Sequence, residues 1–252
     1  MSQSAIIKRV KTNSVPCTLK MKVSLNDDCV LRVVVINPYR KSAIYYDRQF
    51  NAKKDNSFEI RLPQSSKDVD VILICEKGDA NIKSVSLKKG GLQQFPTCYK
   101  SKKAREFIAF AQTISDRLAT LPSGDYFSKN GTFHIQILDS IEGHGTPARI
   151  HNDLGVIQVS KEKMSQYTVP RNMAILLHEY SHFYENVIQK DEIEADLNSL
   201  RMYFGLGYPV VESQNAFIEV FDHADNPMNR ERYEYIFAYA TNFKKIKHKI
   251  CI

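Results

Sequence analysis

The sequence predicts an α+β protein: an N-terminal β-sandwich followed by a domain in which an active-site helix and further helices pack with a small sheet. Three observations predict it. Over residues 1–95 short β-branched runs recur between turn residues, from Ser101 the apolar spacing becomes helical, and the charge changes at the same border. Residues 1–100 carry 18 Lys/Arg against 9 Asp/Glu, a net of +9, while residues 101–252 carry 17 against 19, a net of −2. The expected domains are therefore 1–95 and 96–252, joined by a linker at Gly90-Gly91-Leu-Gln-Gln-Phe-Pro96.

The first domain is expected to hold seven strands: Ala5–Lys11, Cys17–Ser24, Cys29–Ile36, Ser42–Phe50, Ser57–Leu62, Val69–Cys75 and Asn81–Leu87. Asn26-Asp27-Asp28, Asn37-Pro38, Lys54-Asp55-Asn56 and Lys77-Gly78-Asp79 supply the turns between them, a spacing suited to a small sandwich.

In the second domain, Phe107, Ile108, Ala111, Ile114, Leu118 and Leu121 recur at helical spacing over Ala104–Leu121, before Pro122. Thr132–Leu138 alternates as a strand, with His134 in a structural place. Gly143-His144-Gly145-Thr146-Pro147 reads as a loop, and His144 and His151 are candidates for substrate contact. A second strand, Asp153–Ser160, precedes the segment Met173–Ile188, whose Leu176, Leu177, Tyr180, Phe183, Val187 and Ile188 mark a core-packed helix. Pro170 suits its first turn and Thr168 its cap. Helical stretches follow at Lys190–Phe204, Val210–His223 and Asn229–Lys245, and Lys244–Lys249 reads as a solvated basic end.

The segment 173–188 contains His178-Glu179-x-x-His182. Positions i and i+4 share a helix face, so both histidines can offer a ring nitrogen to one metal ion, and the Glu179 carboxylate can reach a water held there. Catalytic zinc usually takes three protein ligands. Glu192 and Asp196 are again i and i+4 in the next helix, which suits Glu192 as the third ligand and Asp196 as acceptor for the free N–H of a liganding histidine. Glu194, pointing to the opposite side, is the competing candidate.

The pair His178-Glu-x-x-His182 and Glu192-x-x-Ala195-Asp196 resembles the gluzincin-type zinc metallopeptidases, and is similar to the minigluzincins, the ImmA/IrrE-like proteases and the soluble part of the CAAX prenyl protease family. The resemblance covers roughly residues 100–250 and implies a zincin-like domain. It also implies zinc on the two histidines and Glu192, Glu179 as general base, and Asp196 orienting a histidine. Metzincins are excluded, since their third ligand would fall on Ile188. Nine residues separate His182 from Glu192, which requires a tight turn near Gln189-Lys190-Asp191. The strand before the active-site helix pairs with substrate in gluzincins, so Gly155–Val159 is expected to be that sheet edge. Asp222–Tyr233 resembles the His-Pro…Arg segment of the prenyl protease family, with Asn226 at the His position and His223 three residues earlier. Either could steady a developing oxyanion, as could Tyr208 or Arg232.

The expected function is zinc-dependent hydrolysis of peptide bonds, with a protein or peptide as substrate. The alternative is a catalytically weak or inactive zincin fold serving in assembly, for example of a virus or phage particle. The basic first half fits an anionic or assembly partner. Nucleic acid is not expected, since no basic stripe interleaved with aromatics and no helix-turn-helix pattern stands out. The longest apolar runs are strand-sized, so no membrane span is expected. Five scattered cysteines (17, 29, 75, 98 and 251) and an N-terminus without a signal-like apolar core point to reduced thiols and an intracellular, cytoplasmic setting, or a virion-associated one.

Overall fold

The protein is described here from a computed structural model, in residues 5–77, 82–141, 146–151, 153–221 and 227–246. The chain divides into two compact units at Gln93/Gln94.

The first unit contains seven strands: β1 (Ala5–Lys11), β2 (Cys17–Leu25), β3 (Cys29–Asn37), β4 (Arg40–Ala52), β5 (Asp55–Leu62), β6 (Asp68–Lys77) and β7 (Ile82–Gly91). They pair antiparallel into a four-stranded sheet, β1-β6-β3-β4, and a three-stranded sheet, β5-β2-β7. The period-two pattern dictates what each strand buries. In β2 Cys17, Leu19, Met21, Val23 and Leu25 are buried while Lys20 and Lys22 are exposed, and in β6 Val69, Val71, Leu73 and Cys75 are buried. Each sheet thus has one apolar face, as a sandwich requires. The expected linker is corrected at its start: Gly90 and Gly91 continue β7, paired with Thr18 and Cys17.

The second unit opens with a 3-10 turn at Pro96–Tyr99 and α1 (Lys102–Arg117), whose Ser101 hydroxyl caps Ala104 N–H. Then come β8 (Gly124–Phe127), β9 (His134–Leu138), β10 (Ala148–His151), β11 (Val156–Ser160) and the short α2 (Lys161–Met164). Four helices complete it: α3 (Val169–Tyr184), α4 (Glu192–Gly205), α5 (Val210–Phe221) and α6 (Pro227–Ile246). The core is strongly aromatic where α1 meets α3: Phe107 stacks on Tyr180 at 4.3 Å between centroids, and Phe133 meets both edge-on. Among the described residues no helix is long and apolar enough to cross a membrane.

The small sheet has the order β10-β11-β9-β8, with β11 parallel to β9 and antiparallel to β10. This corrects the expected edge. Residues 156–159 are interior, because Ala148–His151 folds back onto them and takes the edge itself. The reversal passes through Gly155 at φ +63, where an added Cβ would stand 2.9 Å from the Tyr184 hydroxyl. Another expectation fails at the end of α3. The helix stops at Tyr184, and Val187 and Ile188 are 90% and 64% exposed rather than packed in the core. Cys17, Cys29 and Cys75 are free and buried, whereas Cys98 is disulfide-bonded, which corrects the expectation of reduced thiols at that position.

Candidate metal centre

Helix α3 starts as the sequence implies, with the Thr168 hydroxyl accepting from Arg171 N–H and Pro170 in the first turn. One helical turn separates His178 from His182, and their Nε2 atoms stand 3.0 Å apart. Helix α4 is started by Asp191, whose carboxylate accepts from Glu194 N–H. Its first residue, Glu192, places Oε2 3.4 Å from His178 Nε2 and Oε1 3.5 Å from His182 Nε2.

The outer ring nitrogens explain why these atoms converge. His182 Nδ1 lies 2.7 Å from the carbonyl of Gln189, which can only accept, so the proton sits on Nδ1 and Nε2 presents a lone pair. His178 Nδ1 lies 2.9 Å from Asp196 Oδ1, although its N–H is not aimed squarely at that oxygen. The Nε2 atoms of His178 and His182 and the Glu192 carboxylate therefore meet in one place, a donor set that could hold a cation. A zinc ion fits it. At metal–donor lengths of about 2.0–2.1 Å, tetrahedral donors stand roughly 3.3 Å from one another, close to the 3.0, 3.4 and 3.5 Å found.

Without the ion, protons take up the charge. Burial alone would lower the pKa of His178, but Asp196 and Glu192 outweigh it and raise it to about 10. Burial would raise that of Glu192, but hydrogen bonds from His178 and His182 hold it well below the usual carboxylate range. Glu179 is buried beside them, and desolvation pushes its pKa up against the opposing pull of the two histidines. The backbone of Ile150, on β10, also hydrogen-bonds this carboxylate.

Glu194 is turned elsewhere. Its carboxylate accepts from Val187 N–H at 3.0 Å and from Ile188 N–H at 3.2 Å, bracing the turn that joins the two helices. The Asn186 side chain donates across the same turn to the Asp191 carbonyl at 2.8 Å. Nine intervening residues suffice because the turn is held from both sides.

Arg232, on α6, was expected only as an oxyanion donor. Instead its Nε and Nη2 bind Asp196 Oδ2 and Oδ1 at 2.8 and 3.0 Å, and Nη2 lies 3.0 Å from Glu192 Oε2. Sequence reasoning missed this bracing role, because the partners lie 36 residues apart and no local spacing announces them. Tyr208 is also corrected. It is 2% exposed and stacked on Tyr203 at 4.7 Å, a core residue rather than an oxyanion donor. His134 is structural as expected, 2.7 Å from Asp125 and stacked on Phe127. His151 is exposed on β10. His144, His223 and Asn226 lie outside the described residues.

The donors open onto a cavity of about 540 Å³, whose lining also includes Ala148, Ile150, Ala174, Ile175, Ala216 and Phe217. No family model matches this chain, and no curated protein or solved structure matches it.

Proposed function

We propose that the second unit is a zinc-dependent endopeptidase. The observation that carries this reading is the convergence of His178, His182 and Glu192 at tetrahedral donor spacing, with the Glu179 carboxylate in the same cavity. His178, His182 and Glu192 would hold the zinc, which would supply Lewis acidity toward a carbonyl and a water acidic near neutral pH. Glu179 takes the proton from the attacking water, and its raised pKa lets it hold that proton and deliver it to the leaving amine. Asp196 and Arg232 hold His178 and Glu192 in place. No described strand covers the outer edge of β10, so the substrate is a protein or peptide laid along that strand. The basic first unit is proposed to meet an anionic or assembly partner.

Elemental analysis of the purified chain tests the metal. About one zinc per chain is expected, with none in His178→Ala or Glu192→Ala. Glu179→Gln should keep the metal and lose peptide cleavage by at least about a hundredfold. A wild-type chain that binds no metal after zinc is added back overturns the reading and leaves an assembly role standing.

A further inference from the structure

The outer face of the small sheet carries one unbroken rung of polar side chains. Arg149 on β10, Gln158 on β11, Gln136 on β9 and Asp125 on β8 are successive cross-strand partners. Arg149 Nε donates to Gln158 Oε1 at 2.8 Å, Gln158 Nε2 to Gln136 Oε1 at 2.7 Å, and Gln136 Nε2 to Asp125 Oδ1 at 3.1 Å. The direction is forced from both ends. A guanidinium can only donate and an ionised carboxylate can only accept, so both amides between them have one workable orientation.

The rung holds Arg149 by its Nε alone. Its two Nη groups form no hydrogen bond with any described residue, and no described carboxylate pairs with it. Arg149 nonetheless lines the catalytic cavity, as does Lys190 from the turn before α4. A guanidinium fixed at Nε presents its paired Nη edge, the geometry that takes a carboxylate bidentately. A peptide added to the edge of β10 alternates its side chains across the sheet as β10 does, so every second one falls on the Arg149 face.

We infer that Arg149 reads an acidic side chain of the peptide laid along β10, making acidic segments the preferred substrates. The inference rests on the peptidase reading and names its substrate class. Gln158 is the positioning residue, and Lys190 adds positive field at the cavity.

The test uses the full chain, loaded with zinc and incubated with a random-sequence peptide pool, with cut sites read by mass spectrometry. Wild type is expected to enrich Asp and Glu about tenfold at one position near the cut, the effect of one good charge-assisted pair. Arg149→Gln should flatten that enrichment. Gln158→Glu, which sets a competing carboxylate beside Nε, should do the same, and Arg149→Lys should retain part of it. Thermal midpoints and zinc content establish that each variant is folded and loaded. No acidic enrichment in wild type, or enrichment untouched in Arg149→Gln, overturns the inference while the peptidase reading survives. If no peptide is cut at all, the peptidase reading falls. Capture of the same pool on zinc-loaded Glu179→Gln protein, with and without Arg149→Gln, then decides Arg149 by itself: acidic peptides held only when Arg149 is present support it, and equal capture overturns it.

Discussion

The two units treat charge in opposite ways. In the first, the buried polar residues among those described are Thr12, Thr18 and Asn37, all neutral. Its ion pairs are solvent-facing on both sheets: Arg32 meets Asp47 with side chains 40% and 24% exposed, and Arg61 meets Glu59 with side chains 41% and 49% exposed. In the second, Glu179, His182, Asp196, Glu212 and Arg232 are all buried. Taking an ion out of water costs several kcal/mol unless partners compensate. Four of them, Glu179, His182, Asp196 and Arg232, gather around one point, and a fold that bears that cost does so for a purpose, so the chemistry is sought in the second unit, although the first carries the larger net charge. A basic surface is readily explained by solubility, whereas a buried convergence of histidines and carboxylates is not.

The contrast can be broken by mutation. Asp196→Ala leaves the Arg232 guanidinium buried without its main partner and should cost about 3–5 kcal/mol, read by urea unfolding. Arg32→Met in the first unit should cost less than about 1 kcal/mol, since that pair is solvated. Similar losses at the two sites would erase the distinction.

Proton–metal competition sharpens it. In the metal-free protein His178 keeps its proton up to about pH 10, so the stability from its pairing is fully present below its unfolded pKa and is lost as pH rises through about 10. Zinc must displace that proton, so its affinity should fall about tenfold for each pH unit lowered. The rise in melting temperature on adding zinc is therefore expected to be larger at about pH 8 than at about pH 6. An equal rise at both would mean that no proton leaves. The smallest effect belongs to Glu194→Ala. With the N–H groups of Val187 and Ile188 left to water, a loss of about 1 kcal/mol is expected, with zinc content unchanged. Loss of the metal in that variant would return Glu194 to the ligand set.

Much of the candidate site was legible because it is written in helical spacing. The i, i+4 relations of His178 with His182 and of Glu192 with Asp196 survive intact in α3 and α4. Thr168 and Pro170 marked the helix start by capping chemistry that acts within one turn. What escaped depends on distant pairing. The strand β10 is four residues long and becomes an edge only by folding against β11. Arg232 reaches Asp196 across 36 residues, and helical periodicity on either side does not say which residues of two helices will pair. Val187 and Ile188 read as core because hydrophobicity was extended past the point where the chain turns, and only the bracing by Glu194 and Asn186 shows where α3 ends.

That braced turn also bears on the order in which the site is built. All three donors come from residues 178–192, and the entropy of closing a loop this short is small. The donor set is therefore local in contact order, like a hairpin of two helices, and can assemble on the timescale of local contacts. Arg232 must instead arrive from the far end of the unit. If the donors hold the proposed ion, the α3–α4 hairpin could capture it before α6 docks, with Arg232 closing afterwards over a site already loaded.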